Sequence, residues 1–233
     1  MAFLRGILDV LFPPACQVCR TPGQDVLCRI CMERIRLIRA PVCERCGKPL
    51  RGPPDLIFTC LKCQGRRLSF RRARAAGIYD GAMREAIHAL KFAGRSALAG
   101  PLGAVMAESA TQWRADPPEA IVPVPLHAVR RRERGFNQAE LLAQPVAEAL
   151  SRPLTPGALT RVRPTDAQSG LDADERRRNV RRAFAAGVPL DGGILLIDDV
   201  FSTGCTVNEC ARALRAAGAG YVDVLTLAHA VLE

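Results

Sequence analysis

Hydrophobic positions along the 233 residues change periodicity several times, and the changes outline the elements. In Met1–Phe12, the residues Phe3, Leu4, Ile7, Leu8 and Leu11 recur at helical spacing, interrupted by Asp9 and ended by Pro13 and Pro14. This reads as a short amphipathic helix docked on the rest of the chain. Ala76–Tyr79 fits a short strand, and Gly81–Phe92 a helix with Met83, Ala86, Ile87 and Leu90 on one face and Lys91 at its end. Within Ala120–Leu126, Ile121, Val122 and Val124 alternate with Pro123 and Pro125, which suits a short strand at the edge or end of a sheet. Asn137 is placed to cap a helix from Gln138 to about Leu150, with Leu141, Leu142 and Val146 inward and Pro145 as a kink. Ile194–Ile197 is a continuous apolar run, the pattern of a parallel strand buried on both faces. A helix over about Val207–Ala217 follows, closed by Gly218, and Tyr221–Leu227 reads as a further strand. Strands alternating with helices predict an α/β domain with a mostly parallel sheet and flanking helices.

Composition agrees with a globular chain, at 48% hydrophobic and 24% charged. The uncharged stretch Ser96–Ala107 falls short of the roughly 18 apolar residues of a membrane span, so no span is expected. The opening helix has no small-residue cleavage site after it, which argues against secretion and for a cytoplasmic protein. Charge is distributed unevenly. Residues 1–75 hold 15 Arg or Lys against five acids, whereas residues 76–233 hold 18 of each, so the whole net charge of +10 sits in the first third. Such asymmetry points to a polyanionic partner, nucleic acid before membrane.

The same third holds eight of the ten cysteines, in four Cys-x-x-Cys pairs: Cys16/Cys19, Cys28/Cys31, Cys43/Cys46 and Cys60/Cys63. Each pair makes a knuckle that points two sulfurs at one metal, and two knuckles complete the four-thiolate shell of a structural zinc. Disulfides are the alternative, disfavoured in the cytosol. Sequential pairing closes the shorter loops and is the default on closure entropy; interleaved pairing, or one degenerate site, stays open. Two zinc ions on eight thiolates would bring the net charge to about +6. Gln64–Arg74, with Arg66, Arg67, Arg71, Arg72 and Arg74 around Leu68 and Phe70, marks a junction that is either a solvated basic connector or a polyanion-binding patch.

Two segments carry anion-binding chemistry. Leu126–Arg134, with His127, Arg130, Arg131, Arg132 and Arg134, is a basic loop between a strand end and a helix start, a place to hold phosphate or pyrophosphate. After the Ile194–Ile197 strand come Asp198 and Asp199, then Ser202, Thr203, Gly204, Cys205 and Thr206 at the start of a helix. The small hydroxylic run offers N–H groups, hydroxyls and a helix N-terminus to a phosphate, and the acids are suited to sugar hydroxyls. There is no P-loop Lys and no dinucleotide fingerprint, so a ribose phosphate is the natural ligand. Cys210 reads as buried packing and His229 as structural, while His127 is a minor acid–base candidate.

The run Ile194–Thr206 resembles the phosphoribosyl diphosphate (PRPP) signature of type I phosphoribosyltransferases. With the four knuckles, Val122-Pro-Val-Pro-Leu126, Arg134-Gly-Phe-Asn-Gln138 and Arg176-Arg-Arg-Asn-Val180, the chain is similar to the ComF family of bacterial competence proteins over nearly its whole length. The resemblance implies a double zinc-ribbon domain at 1–65, a basic linker at 66–75 and a phosphoribosyltransferase-like domain at 76–233. It implies PRPP with Mg²⁺ bound by Asp198, Asp199 and Ser202–Thr206, and pyrophosphate held by Leu126, His127, Arg130 and Arg134. Asp198, Asp199 and Arg130 would be catalytic, and Arg161–Asn179, with Gln168, Ser169, Gly170 and Arg176–Arg178, would close over the site. Cys205 departs from the small residue common at its position. The implied function is pentosyl transfer in the uptake of transforming DNA, with single-stranded DNA and a competence helicase as partners. The alternative is a non-catalytic zinc-ribbon adaptor on nucleic acid, in which the PRPP site is a sensor.

Overall fold

Leu195 and Ile197 point to one face of their strand and Ile194 and Leu196 to the other; all four are fully buried, so helices must cover both faces. The computed structural model describes residues 14–53, 55, 58–163 and 172–231. In chain order its elements are α1 (Arg29–Glu33), β1 (Ala73–Ile78), α2 (Gly81–Phe92), α3 (Ala99–Ala110), β2 (Ala120–Pro123), α4 (Ala128–Arg134), α5 (Gln138–Leu150), β3 (Leu159–Arg161), α6 (Ala173–Val180), β4 (Phe184–Ala186), β5 (Gly193–Phe201), α7 (Cys205–Ala216) and β6 (Tyr221–His229). One four-stranded sheet runs β1-β6-β5-β2, with every neighbouring pair parallel. β3 and β4 form a separate antiparallel pair.

Leu195 and Ile197 pack with Met83, Ile87 and Leu90 of α2, Leu102 and Met106 of α3, and Leu142 and Val146 of α5. On the opposite face Ile194 and Leu196 pack with Val207, Cys210 and Leu214 of α7. The expected α/β class, a parallel sheet with flanking helices, is therefore present. α2 has the predicted bounds and inward face, and α5 the predicted cap and bounds, with Leu141 only half-buried. Pro145 is accommodated in α5 against Gly103 of α3, where a Cβ would come within 2.8 Å of the proline ring. β2 lies at the sheet edge, as its prolines require.

Several expectations shift. β1 starts at Ala73, so the basic junction runs straight into the sheet. Arg71 and Arg72 close on Asp223 at 2.8 and 2.9 Å, and Trp113 donates its indole N–H to the same carboxylate at 2.7 Å. Within the basic segment Leu126–Arg134, the chain read as a loop is helical from Ala128, because His127 caps α4 and Gly135 closes it in the left-handed conformation at φ 82°. The opening helix at residues 1–12 lies outside the described residues.

The cysteine-rich segment is attached to the edge strand. Arg36 and Ile38 exchange backbone hydrogen bonds with Ile78 and Ala76, and Leu37 forms an antiparallel bridge to Gly77. Gly77 leaves room for this bridge: a Cβ would meet Met83 Cε at 2.8 Å and the Arg36 carbonyl at 3.1 Å, and both would have to shift. Leu27, Cys31 and Ile35 join the core that contains Met83 and Ile87.

Candidate functional site

The β2 ladder ends at Pro123 opposite Ile197, while β5 continues to Phe201, so Asp198 and Asp199 stand at the mouth of a crevice at the C-terminal ends of the strands. Open parallel sheets place their ligands in such a crevice. Strand alternation sends the two acids to opposite faces. Asp199 turns toward α2 and α5, where it is 4% exposed and accepts from Lys91 Nζ at 2.6 Å and Gln138 Nε2 at 2.7 Å. Arg134 in turn donates to Gln138 Oε1. Asp198 is half-buried on the other side and accepts the backbone N–H of Asp199 at 2.9 Å. Burial pushes its carboxyl up to about 7, the Asp199 charge adds to this, and Lys91, the Asp199 N–H and Arg161 oppose it. The sequence pairs these acids; the structure gives them different environments.

Gly204, at φ 76°, makes the turn that presents the N-terminus of α7. A Cβ there would lie 2.6 Å from the Phe201 ring. Ser202, Thr203, Gly204 and Thr206 are half-exposed around the turn, and Thr203 Oγ1 donates to the buried Cys205 Sγ at 3.2 Å. The 12 residues of continuous helix behind the loop supply a dipole whose positive end faces the turn.

Across the crevice, the Leu126–Arg134 segment leaves β2 and is fastened by Asn137, whose Nδ2 donates to the Val124 carbonyl at 3.0 Å while its Oδ1 caps α5. His127 is committed as the α4 cap, accepting from the Val129 N–H at 3.4 Å. Arg130 is exposed and pairs with Glu133 at 3.1 Å, and Arg131 makes a two-pronged contact with Glu140 at 2.9 and 3.1 Å. Arg134 is the half-buried member of the group, lying over the Phe92 ring and facing the Asp199 charge. Of the expected covering segment, Gln168, Ser169 and Gly170 lie outside the described residues; Arg163 ties its flanks by donating to the carbonyls of Asn179 and Arg181 at 2.8 and 3.0 Å.

Lys91 and Gln138 are site neighbours that the sequence does not mark as site residues, whereas Arg161 opens the expected covering segment. Lys91 follows Ile87 by four and so flanks the apolar stripe of α2, which is a legible signal. Gln138 is a polar residue in a first helical turn that turns out to be buried, and Arg161 lies on β3 opposite Phe184 of β4.

The eight paired cysteines form two clusters among the described residues, Cys16/Cys19/Cys28/Cys31 and Cys43/Cys46/Cys60/Cys63, each with its sulfurs within 4.8 Å of one another. Pairing is thus sequential. A zinc about 2.3 Å from four tetrahedral sulfurs sets them about 3.8 Å apart, and Cys16–Cys31, Cys19–Cys28 and Cys46–Cys60 stand at 3.8, 3.6 and 3.7 Å. Burial raises the Cys46 thiol and pushes Cys63 up to about 11, but backbone N–H groups of Cys46, Cys60 and Arg45 outweigh it at Cys43 and hold that thiol down to about 7. Both sites fit structural zinc, with no position left for a water.

Comparison with known proteins matches a double zinc ribbon domain to residues 7–65. Among solved structures, the chain is similar to the glutamine PRPP amidotransferase of B. subtilis at 22% identity and a TM-score of 0.37, covering 55% of this chain and 26% of that one. It is also similar to the orotate phosphoribosyltransferase of Aeropyrum pernix at 23% identity and a TM-score of 0.33, covering 67% of this chain and 68% of that one. Whole-length relatives are stronger. The DNA utilization protein YhgH of Salmonella typhi is 34% identical over 92% of this chain and 96% of its own. Competence protein F of Haemophilus influenzae is 32% identical over 89% and 92%, and competence protein ComFC of Bacillus subtilis 30% over 87% and 84%. With relatives at this identity aligned along almost all of both chains, and two four-cysteine clusters inside the segment that matches a double zinc ribbon, the protein belongs to the family of competence protein F, ComFC and YhgH.

Proposed function

We propose that the protein binds a ribose phosphate, PRPP with Mg²⁺, in the crevice between the ends of β2 and β5, and acts on it in the handling of transforming DNA. The observation that supports this most is the continuous run on one central strand: buried β5, two acids at its end, then Gly204 turning the chain onto the N-terminus of α7. The Ser202–Thr206 turn would receive the 5′-phosphate, and Asp198 would meet the ribose hydroxyls or the hydrated metal. Asp199 would act from behind, holding Lys91 and Gln138 in place. Pyrophosphate would lie toward Leu126–Arg134, with Arg130 free to swing from Glu133 and Arg134 anchored beneath. Departure of pyrophosphate from C1 builds positive charge on the ribose, and such a step rests on positioning and charge stabilisation more than on one general base.

Isothermal titration of PRPP with Mg²⁺ into the zinc-loaded chain tests the reading, with Asp198→Asn and Gly204→Ala as controls. Binding to the wild type that both substitutions weaken at least tenfold supports it. Wild-type protein that is folded and binds no PRPP overturns it.

A second reading, a nucleic-acid adaptor, is favoured by Arg20, Arg29, Arg34, Arg39, Arg51, Arg66 and Arg67, which are all exposed on the cysteine-rich module and its junction. Single-stranded DNA affinity that falls steeply with salt, and falls again when these arginines are changed, would establish it.

A further inference from the structure

Lys91 stands where the end of α2 meets the crevice. Its Nζ donates to Asp199 Oδ1 at 2.6 Å, and Gln138 holds the other oxygen of the same carboxylate at 2.7 Å. Gln138 in turn accepts from Arg134, whose guanidinium lies 5.6 Å from the ring centre of Phe92, the residue after Lys91. The end of α2 is thus joined to the basic segment Leu126–Arg134 by two routes, the Asp199 relay and the Phe92 ring. The phosphate turn lies on the other side. Asp199 shares the strand face of Leu195 and Ile197, which α2 and α5 cover, whereas Ser202–Thr206 leads into α7 on the opposite face.

This placement gives the ammonium a task beyond neutralising Asp199. A buried ion pair adds little net stability, so a pair kept at the mouth of a crevice asks for another reason. The Lys91 side chain is 19% exposed, and a lysine covered to that degree keeps its stem against the protein and its charged head at the opening. An ammonium has three donors, of which Asp199 takes one. The Lys91 charge is also felt at Asp198, so it acts at both acids. Two carboxylates side by side repel a polyanion, and a pyrophosphate brought beside them needs a cation on its own side. Arg130 and Arg131 are exposed and paired with Glu133 and Glu140, whereas Lys91 is fixed by an acid that is 4% exposed and presents its remaining N–H groups without rearrangement.

We propose that Lys91 is the cation that contacts the pyrophosphate of the bound ligand and makes the site select PRPP over ribose 5-phosphate. The assignment rests on the ribose-phosphate reading and adds to it a residue from outside the Leu126–Arg134 segment. Lys91 donates to a pyrophosphate oxygen while Asp199 keeps hold of it, and it offers nothing to the 5′-phosphate across the sheet.

The test is isothermal titration of the zinc-loaded full chain, in Mg²⁺, with PRPP, ribose 5-phosphate and inorganic pyrophosphate. It is run on the wild type, Lys91→Gln, Asp199→Asn, Lys91→Gln/Asp199→Asn and Arg84→Gln. Arg84 is an exposed cation on the same helix, so its loss lowers the net charge equally and leaves the Asp199 relay intact. Lys91→Gln is expected to weaken PRPP and pyrophosphate at least about tenfold, the worth of one hydrogen bond to a charged group, and to spare ribose 5-phosphate. Arg84→Gln is expected to spare all three ligands, and the double variant to discriminate as poorly as Lys91→Gln. The assignment is overturned if Lys91→Gln weakens PRPP and ribose 5-phosphate alike or weakens neither, or if Arg84→Gln has the same effect. It is overturned as well if the double variant regains PRPP binding, which would make Lys91 a counter-ion of Asp199 and nothing more. Should Lys91→Gln fail to fold, as judged by circular dichroism and zinc content, the double variant is compared with Asp199→Asn, and an equal preference for PRPP over ribose 5-phosphate in the two overturns it. A wild type that binds both sugar phosphates equally refutes the role of Lys91 and leaves the ribose-phosphate reading standing. One that binds pyrophosphate through Lys91 and neither sugar phosphate refutes that reading and leaves Lys91 assigned to pyrophosphate; one that binds none of the three refutes both.

Discussion

Asp198 and Asp199 are neighbours in the chain with different surroundings: Asp199 meets Lys91 and Gln138, whereas burial and the Asp199 charge push the Asp198 carboxyl up. The folded chain keeps the Asp198 proton up to about pH 7, whereas the unfolded chain releases it near 3.8. Stability from this group is therefore full below about pH 4 and declines as pH rises to about 7, by at most roughly 4 kcal/mol before solvent screening is allowed for. Asp198→Asn should match the wild type in thermal stability at pH 4 and exceed it at pH 8, as read by melting temperature across that range. A larger gap at pH 4 than at pH 8 would contradict the assignment. Asp223 is the opposite case. Against its burial, Arg71, Trp113 and Arg72 hold its carboxyl below the ordinary carboxylate range. Asp223→Ala leaves two arginines and an indole N–H without their acceptor, and denaturant unfolding should show a loss of about 3–5 kcal/mol. A loss below about 1 kcal/mol would mean that the arginines find other partners.

At the scale of elements, the turn between β5 and α7 depends on one glycine. Gly204→Ala must adopt a left-handed backbone and push a Cβ into the Phe201 ring. The cost should be about 1–3 kcal/mol of stability, measured by denaturant unfolding, with PRPP binding reduced more than the stability loss explains. α4 shows a different balance. It has no buried residue, so its seven residues are held by the His127 cap, the Gly135 turn, the Arg131–Glu140 contact and the contacts of Arg134 with Gln138 and Phe92. A helix attached only by its ends and its charges belongs to the low-stability end of a fold, where segments that close on ligands are drawn from.

For the whole molecule, the cysteine-rich module and the sheet share a core and a strand edge. Leu27, Cys31 and Ile35 pack with Met83 and Ile87, and the Arg36–Ile38 segment covers β1. Zinc removal should therefore be felt beyond the module. A strong chelator is expected to lower the melting temperature of the sheet domain as well, and the zinc-loaded protein to melt in one calorimetric transition. Two independent transitions, with the upper one unmoved by chelation, would mean that the module folds and unfolds by itself. Among the described residues no helix is long and apolar enough to cross a membrane.

Much of this architecture is local and hence legible in the sequence. The Cys-x-x-Cys spacing sets each knuckle, the apolar stripe sets α2, Asn137 starts α5, and the unbroken run Ile194–Ile197 declares a strand buried on both faces. Each rests on contacts within a turn or on a periodicity, which the order of residues alone specifies. Loop-closure entropy favoured the sequential pairing of the knuckles, and the fold adopts it. What the sequence by itself left undecided is everything that depends on residues far apart meeting. Asp199 finds its partners 108 and 61 positions away, Asp223 gathers Arg71, Arg72 and Trp113, and His229 stacks on Phe201. Only the tertiary structure assigns these, because a side chain's charge state and partners are set by the strand face it occupies and by what the sheet order brings against that face.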